Sequence, residues 1–188
     1  MNTKDKILDS AQKLVQQRGF NGFSYADIAD EVGIRKASLH HHFPTKADLG
    51  LTLIDNYIDQ FDAALLKIDS ESLPADKKLA LYIDAYRCSL KAKRMCLGGI
   101  LATEIQTLDK AMLPSLKQFF AHNTEWLTKV LKLGKKQKLF ELNSSAEEQA
   151  GMILSTLQGA LLLSRATGNN KSFEQTAASL LKCLLRKS

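Results

Sequence analysis

Three histidines stand side by side at His40, His41 and His42, between the basic pair Arg35-Lys36 and the Phe43-Pro44 break. Histidine can bind metals, move protons or, beside cations, hydrogen-bond phosphate. The metal reading fails on spacing. The stretch from Arg35 to His42 contains no Gly or Pro and predicts a short helix, whose successive side chains point about 100° apart. Three consecutive helical residues cannot converge on one ion, and a helical zinc pair needs the i, i+4 spacing of H-E-x-x-H. The only other histidine, His122, lies far along the chain. No metal site and no cofactor are expected. Between Gly33 and Lys46 there are three cations (Arg35, Lys36, Lys46) and no carboxylate, with Ser38 and Thr45 adding hydroxyls. Residues 1–50 as a whole carry seven Lys/Arg against six Asp/Glu, so the positive charge is concentrated in this one piece. Such a surface suits a nucleic-acid backbone. A solvated helix face is the alternative.

Cysteine offers the other chemistry. In "KAKRMCLGGILATE" the cations Lys91, Lys93 and Arg94 precede Cys96, and Gly98-Gly99 marks a new helix. Cations and a helix start both favour a thiolate. The alternative for Cys96 is a small buried apolar residue, as free cysteines commonly are. Cys88 and Cys183 fall in apolar helical patterns and read as packing. A thiol enzyme using Cys96 is a rival reading, but no Cys/His or Ser/His/Asp constellation accompanies it. No catalytic residue is therefore assigned.

The whole chain bounds these readings. It has 188 residues, 45% of them hydrophobic, and a formal net charge of +6. That is enough for one domain or two small ones, with a mild preference for an anionic partner. The first residues, Asn-Thr-Lys-Asp-Lys after Met1, are followed by no apolar run, so no signal peptide is expected. No apolar stretch approaches the roughly 20 residues that span a bilayer, so no membrane role is expected. Three cysteines, an odd number, read as free thiols in a reducing compartment, and the cytoplasm is the expected location.

The elements that must position these residues all read as helices. Ile7, Leu8, Ala11, Leu14 and Val15 form a stripe over residues 3–18. Ser24-Tyr-Ala-Asp27 starts a short second helix in the manner of a capping box. That helix ends at Gly33, the third ends before Pro44, and Thr45-Lys-Ala-Asp48 caps a long fourth helix to about Ile68. Further helices are expected over 75–93, from Gly98-Gly99, from Leu113-Pro114, over 145–167 and over 172–187. The seventh carries Leu116, Phe119, Phe120, Asn123, Leu127, Val130 and Leu131. The eighth is apolar on nearly every side from Ala150 to Leu163, which suits burial on two sides.

A helix ending at Gly33 with another starting at once is a helix-turn-helix signature. Ala29 provides the small contact between the two helices, and Ile34 and Leu39 anchor the second. Arg35, Lys36, Ser38, His40 and His41 are left facing outward. At this point the sequence resembles the TetR/AcrR family of bacterial transcriptional regulators. The resemblance rests on Ile28-Ala29, Gly33-Ile34, Ser38-Leu39, His42-Phe43, Lys46 and Leu49, and covers roughly residues 5–65. Ala37 stands where the family often has Gly, and His40 replaces the usual Tyr. His42 matches the family's histidine and reads as a packing residue.

The resemblance implies an all-α protein. Residues 1–48 would form a three-helix helix-turn-helix DNA-binding domain. Residues 49–188 would form a helical effector-binding and dimerisation domain, giving about nine helices in all. Ser24, Tyr25, Arg35, Lys36, Ala37, Ser38, His40, His41 and Lys46 are the expected DNA contacts. With an imidazole in place of a phenol, DNA affinity should depend on pH. Cys96 is the candidate sensor, because the later sequence is similar to family members that respond to electrophiles or oxidants through cysteine. Tyr86, Phe119, Phe120 and Trp126 are candidate effector-pocket residues, with core packing as the alternative for each. The expected partners are double-stranded operator DNA, a small-molecule or electrophile effector, and a second copy held through helices eight and nine. A helical adaptor without DNA binding is the remaining rival.

Overall fold

The computed structural model describes residues 2–185. Among them are nine α-helices: α1 (Thr3–Arg18), α2 (Tyr25–Val32), α3 (Lys36–His42), α4 (Lys46–Ser70), α5 (Ala75–Lys91), α6 (Leu97–Thr103), α7 (Leu113–Lys136), α8 (Ala146–Thr167) and α9 (Asn170–Leu184). A short 3-10 turn (Lys110–Met112) precedes α7. Among the described residues the strand-like feature is an isolated antiparallel bridge between Phe140 and Leu185. The all-α expectation is met.

The chain packs as two compact units. Unit one comprises residues 1–60 and 94–119, and unit two comprises 61–93 and 120–188. In unit one, Ile7, Ala11 and Val15 of α1 are fully buried with Ile28 of α2, Leu39 of α3 and Leu49 of α4. Burying each of the larger side chains contributes about 1.5–3 kcal/mol. The segment after residue 94 joins this core through polar contacts as well. Met95 N–H donates to the Gln16 carbonyl at 2.8 Å, and Phe20 N–H donates to Glu104 Oε2 at 2.7 Å.

The helix starts are set locally. Asn2 with Asp5, Ser24 with Asp27, and Ser145 with Glu148 form reciprocal capping boxes that satisfy otherwise orphaned N–H groups. Thr45 and Asp48 do the same for α4: Thr45 N–H donates to Asp48 Oδ2 at 2.9 Å and Asp48 N–H to Thr45 Oγ1 at 3.1 Å.

Unit two is built on α8 and α9, packed along each other, with α5 and the later parts of α4 and α7. Lys78 of α5 is 6% exposed. Its ammonium donates to the carbonyls of Ile68 (2.7 Å), Glu71 (3.1 Å) and Asp69 (3.2 Å). It thereby caps the C-terminal end of α4, where the helix dipole favours a cation. The buried side of α8 includes Ile153, Leu157, Ala160 and Leu161, while Met152, Leu162 and Leu163 are exposed. A side chain added at Gly151 or Gly159 would meet nothing within 4 Å.

Three expectations change. Helix five stops at Lys91 rather than 93, because Lys93 takes a left-handed φ of 55°. Helix nine starts at Asn170, two residues early, and the end expected at 187 lies outside the described residues. Cys88 and Cys183 are exposed rather than packed. The buried stripe of α5 runs through Leu79, Tyr82, Ile83, Tyr86 and Leu90, and Cys88 falls between its turns.

Candidate nucleic-acid interface

The turn between α2 and α3 is made by Gly33 at φ 75°, ψ 38°. This left-handed conformation costs glycine little and other residues more. The N–H groups of Gly33 and Ile34 both donate to the Ala29 carbonyl, at 2.9 and 3.0 Å. The chain therefore reverses within two residues and α3 begins at once. Leu39, fully buried, turns one side of α3 into the core. Arg35, Lys36, Ala37, His40 and His41 are exposed on the rest of its surface, and Ser38 and His42 are half-buried. Neither Arg35 nor Lys36 forms an ion pair among the described residues, so both charges face solvent.

Other expected contacts are placed differently. Tyr25 is buried at the start of α2, and its hydroxyl proton is directed at the carbonyls of Thr45 (2.6 Å) and Phe43 (2.9 Å). Burial, helped by the Asp48 charge, raises its pKa to about 12. Tyr25 thus ties the end of α3 to the start of α4. Lys46 is half-buried, donates to the Phe23 carbonyl at 2.5 Å and lies 4.1 Å from the centre of the Phe23 ring. Burial pushes its pKa down, against the opposing pull of Glu104 and Asp27. Ser24 is exposed, with its hydroxyl in the α2 capping box. The His40 ring lies 4.7 Å from the Tyr25 ring, and its Nδ1 is 3.3 Å from the Pro44 carbonyl. A carbonyl only accepts, so Nδ1 carries a proton in that bond and Nε2 is the nitrogen left for a partner.

The pair α2–α3, joined by a glycine turn and presenting an exposed basic helix, is the geometry that places a second helix in a major groove. Residues 7–51 match the family described as bacterial regulatory proteins, tetR family. Over 177 residues the chain is 30% identical to an HTH-type transcriptional regulator in the lacX 3' region of Lactococcus lactis, covering 88% of this chain and 85% of that one. The structure of a TetR-family transcriptional regulator from Agrobacterium tumefaciens superposes with a TM-score of 0.93 at 32% identity, covering 98% of both chains. The chain belongs to the TetR family. It is a DNA-binding transcriptional regulator. A shorter match, 33% identical over 73 residues and covering 39% of this chain and 40% of that one, is to IcaR of Staphylococcus epidermidis, named as a negative regulator of a biofilm operon.

The residues this TetR-family chain was expected to use for sensing fall in both units. In unit one, Cys96 is the residue before α6 and is 7% exposed, with its Sγ 3.9 Å from the Tyr57 hydroxyl. Tyr57 also packs on Phe119 at 5.5 Å between ring centres. Phe119 lies so close to Gly98 that any side chain there would collide with its ring.

In unit two, Phe120 is half-buried, and Tyr86 and Trp126 adjoin polar groups that the sequence reading missed. Tyr82 donates to Asn123 Oδ1 at 2.7 Å, and Gln158 Nε2 donates to the Tyr86 hydroxyl at 3.2 Å. Trp126 stacks on Tyr82 at 5.4 Å and donates to Asp69 at 3.1 Å. His122 meets Asp62 at 2.7 Å. The available signal was Asn123, a polar residue inside an apolar stripe.

Among the described residues, no three His, Cys, Asp or Glu side chains gather as metal ligands, and no helix is long and apolar enough to cross a membrane.

Proposed function

We propose that the protein is a cytoplasmic homodimeric repressor that holds its operator through α3 and is released by a small molecule. The observation that carries the reading is the exposed face of α3, where Arg35 and Lys36, in no ion pair among the described residues, stand beside His40 and His41. Arg35, Lys36, Ala37, Ser38, His40 and His41 face the DNA. Ser24, Tyr25 and Lys46 hold α2, α3 and the start of α4 in register. Residues 1–48 serve DNA, and residues 49–188 serve the effector and the second copy. The IcaR likeness supports repression. The exposed Met152, Leu162 and Leu163, with open space over Gly151 and Gly159, support a second copy on α8 and α9. A two-fold dimer presents its recognition helices to half-sites about 34–36 Å apart. An effector that binds better to the state with the wrong spacing shifts the population away from DNA.

A reversible effector is favoured over thiol modification by the placement of the cysteines. Cys96 is buried, while Cys88 and Cys183 are open to reagents. A catalytic role for Cys96 is disfavoured in the same way, because its polar neighbour in unit one is a phenol and not a base. The test is fluorescence anisotropy on the DNA upstream of the protein's own gene, with mass measured by light scattering. A dimer should bind that DNA at least about a thousandfold tighter than random sequence. Equal affinity for both, or a monomer, would overturn the reading.

A further inference from the structure

Unit one contains a cleft of about 560 Å³ that none of the α3 residues line. Its walls carry Lys6, Asp9, Ser10 and Lys13 of α1, Glu31 near the end of α2, and Arg94 from the segment before α6. The α1 residues stand at i, i+3, i+4 and i+7, so one face of that helix forms a side of the cleft. The volume is in the range of small-molecule sites.

The charges are unevenly used. Lys13 and Glu31 neutralise each other at 2.6 Å. Lys6, Asp9 and Arg94 form no ion pair within 4 Å among the described residues. Arg94 is the telling member. A guanidinium cannot give up its proton. Here it is half-buried, with Nε shut off from solvent and without an acceptor. Ser10, 5% exposed, is also in the lining, with its hydroxyl on the side of Glu31, whose carboxyl Lys13, and after it Ser10, hold below the usual glutamate range. A half-buried cation without a counter-charge is rewarded by a bound anion, most of all by a carboxylate that can meet the guanidinium fork. Asp9 adds the opposite sign, so a ligand that also carries an ammonium leaves neither Lys6, Arg94 nor Asp9 without a partner.

We propose that this cleft binds a zwitterion of amino-acid to dipeptide size, its carboxylate on Arg94 and Lys6 and its ammonium on Asp9. The ligand would join α1 and α2 to the segment leading into α6, so it would act on the DNA-binding unit directly. The site is separate from the α3 face and from the aromatic interior of unit two. It therefore stands or falls independently of the operator reading.

The test uses the full chain and three probes at millimolar concentration: glycylglycine, acetate and ethylamine. Binding is followed by calorimetry and by backbone amide shifts. Glycylglycine should bind and move the amides of α1 and of residues 94–96, with acetate weaker and ethylamine weakest. Arg94→Gln should weaken glycylglycine by about tenfold, a change of about 1.4 kcal/mol. Asp9→Asn, at an exposed position that folding tolerates, should weaken glycylglycine but not acetate. The proposal is overturned if none of the probes binds, or if both variants bind glycylglycine as the parent does. It is also overturned if Arg94→Gln reduces the salt dependence of operator binding by about one phosphate contact, because Arg94 would then belong to the DNA surface.

Discussion

The α3 face of unit one and the interior of unit two use their polar residues in opposite ways. On α3 the cations are exposed and form no ion pair among the described residues. In unit two the polar groups are turned inward and bonded to each other: Tyr82 to Asn123, Gln158 to Tyr86, and Lys78 to the end of α4. An outward polar residue contributes little to folding and is free to bind. An inward one has lost its water and must be satisfied inside the protein. The contrast separates residues that can be changed at the expense of function alone from those whose change is first felt in stability.

The largest effect should come from the interior. Asn123→Ala removes the 2.7 Å acceptor of a fully buried hydroxyl and should lower stability by about 2–3 kcal/mol, read from urea unfolding. Protein that remains folded should bind operator as before. A loss of DNA binding without a loss of stability would break the contrast. The reverse pattern is expected on α3. Arg35→Ala with Lys36→Ala should weaken operator binding by about tenfold to a hundredfold and flatten its salt dependence, with the melting temperature unchanged.

Lys46 sharpens the division. Its ammonium is engaged by the Phe23 carbonyl and ring, so Lys46→Met should lower the melting temperature by a few degrees, about 1 kcal/mol, and leave the salt dependence of DNA binding intact. A lost phosphate contact with no change in melting would return Lys46 to the DNA surface. The next test is His40. Its Nδ1 meets the Pro44 carbonyl at 3.3 Å, and Nε2 is left for a phosphate. His40→Ala should weaken operator binding by about threefold to tenfold, read by fluorescence anisotropy, and a variant that binds as the parent does would take His40 off the DNA surface.

The smallest effect concerns the caps. Hydrogen bonds from Ser24 hold the Asp27 carboxyl below the usual aspartate range, and Ser145 does the same for Glu148. With a folded pKa depressed, the stabilisation is present above the unfolded carboxylate value and disappears as pH falls through the folded one. Unfolding measured between neutral pH and pH values below the ordinary carboxylate range should therefore be less pH-dependent in Asp27→Asn with Glu148→Gln. An unchanged pH profile would show that the caps are already broken in solution.

Local rules made much of unit one legible. The capping pairs, the Gly33 reversal and the exposed residues of α3 depend on neighbours within a few positions, and the sequence displays them directly. The internal roles of Tyr25 and Lys46 are less legible for the same reason. Their partners lie about twenty residues away, across a turn whose exact path no local pattern supplies. Unit two was less readable still. The stripe on α7 was visible, but the partner of Asn123 is a tyrosine on another helix, 41 residues earlier. The burial of Lys78 is explained only by the ending of α4, whose carbonyls its ammonium caps. Cys88 reads as packing from its place in the helix-five pattern, whereas its angular position on α5 leaves it outside.

The small bridge at Phe140 has a consequence for how unit two opens in time. Glu141 lies in the loop between α7 and α8, yet its N–H donates to the Leu184 carbonyl at 2.9 Å, next to the Phe140–Leu185 pairing. Loop amides ordinarily trade hydrogen with water as fast as the loop moves. This one can trade only when the end of α9 lets go. Its deuterium uptake should keep pace with the last turn of α9 rather than with its own neighbours in the loop. A single amide at position 141 thus serves as a clock for the release of the final helix.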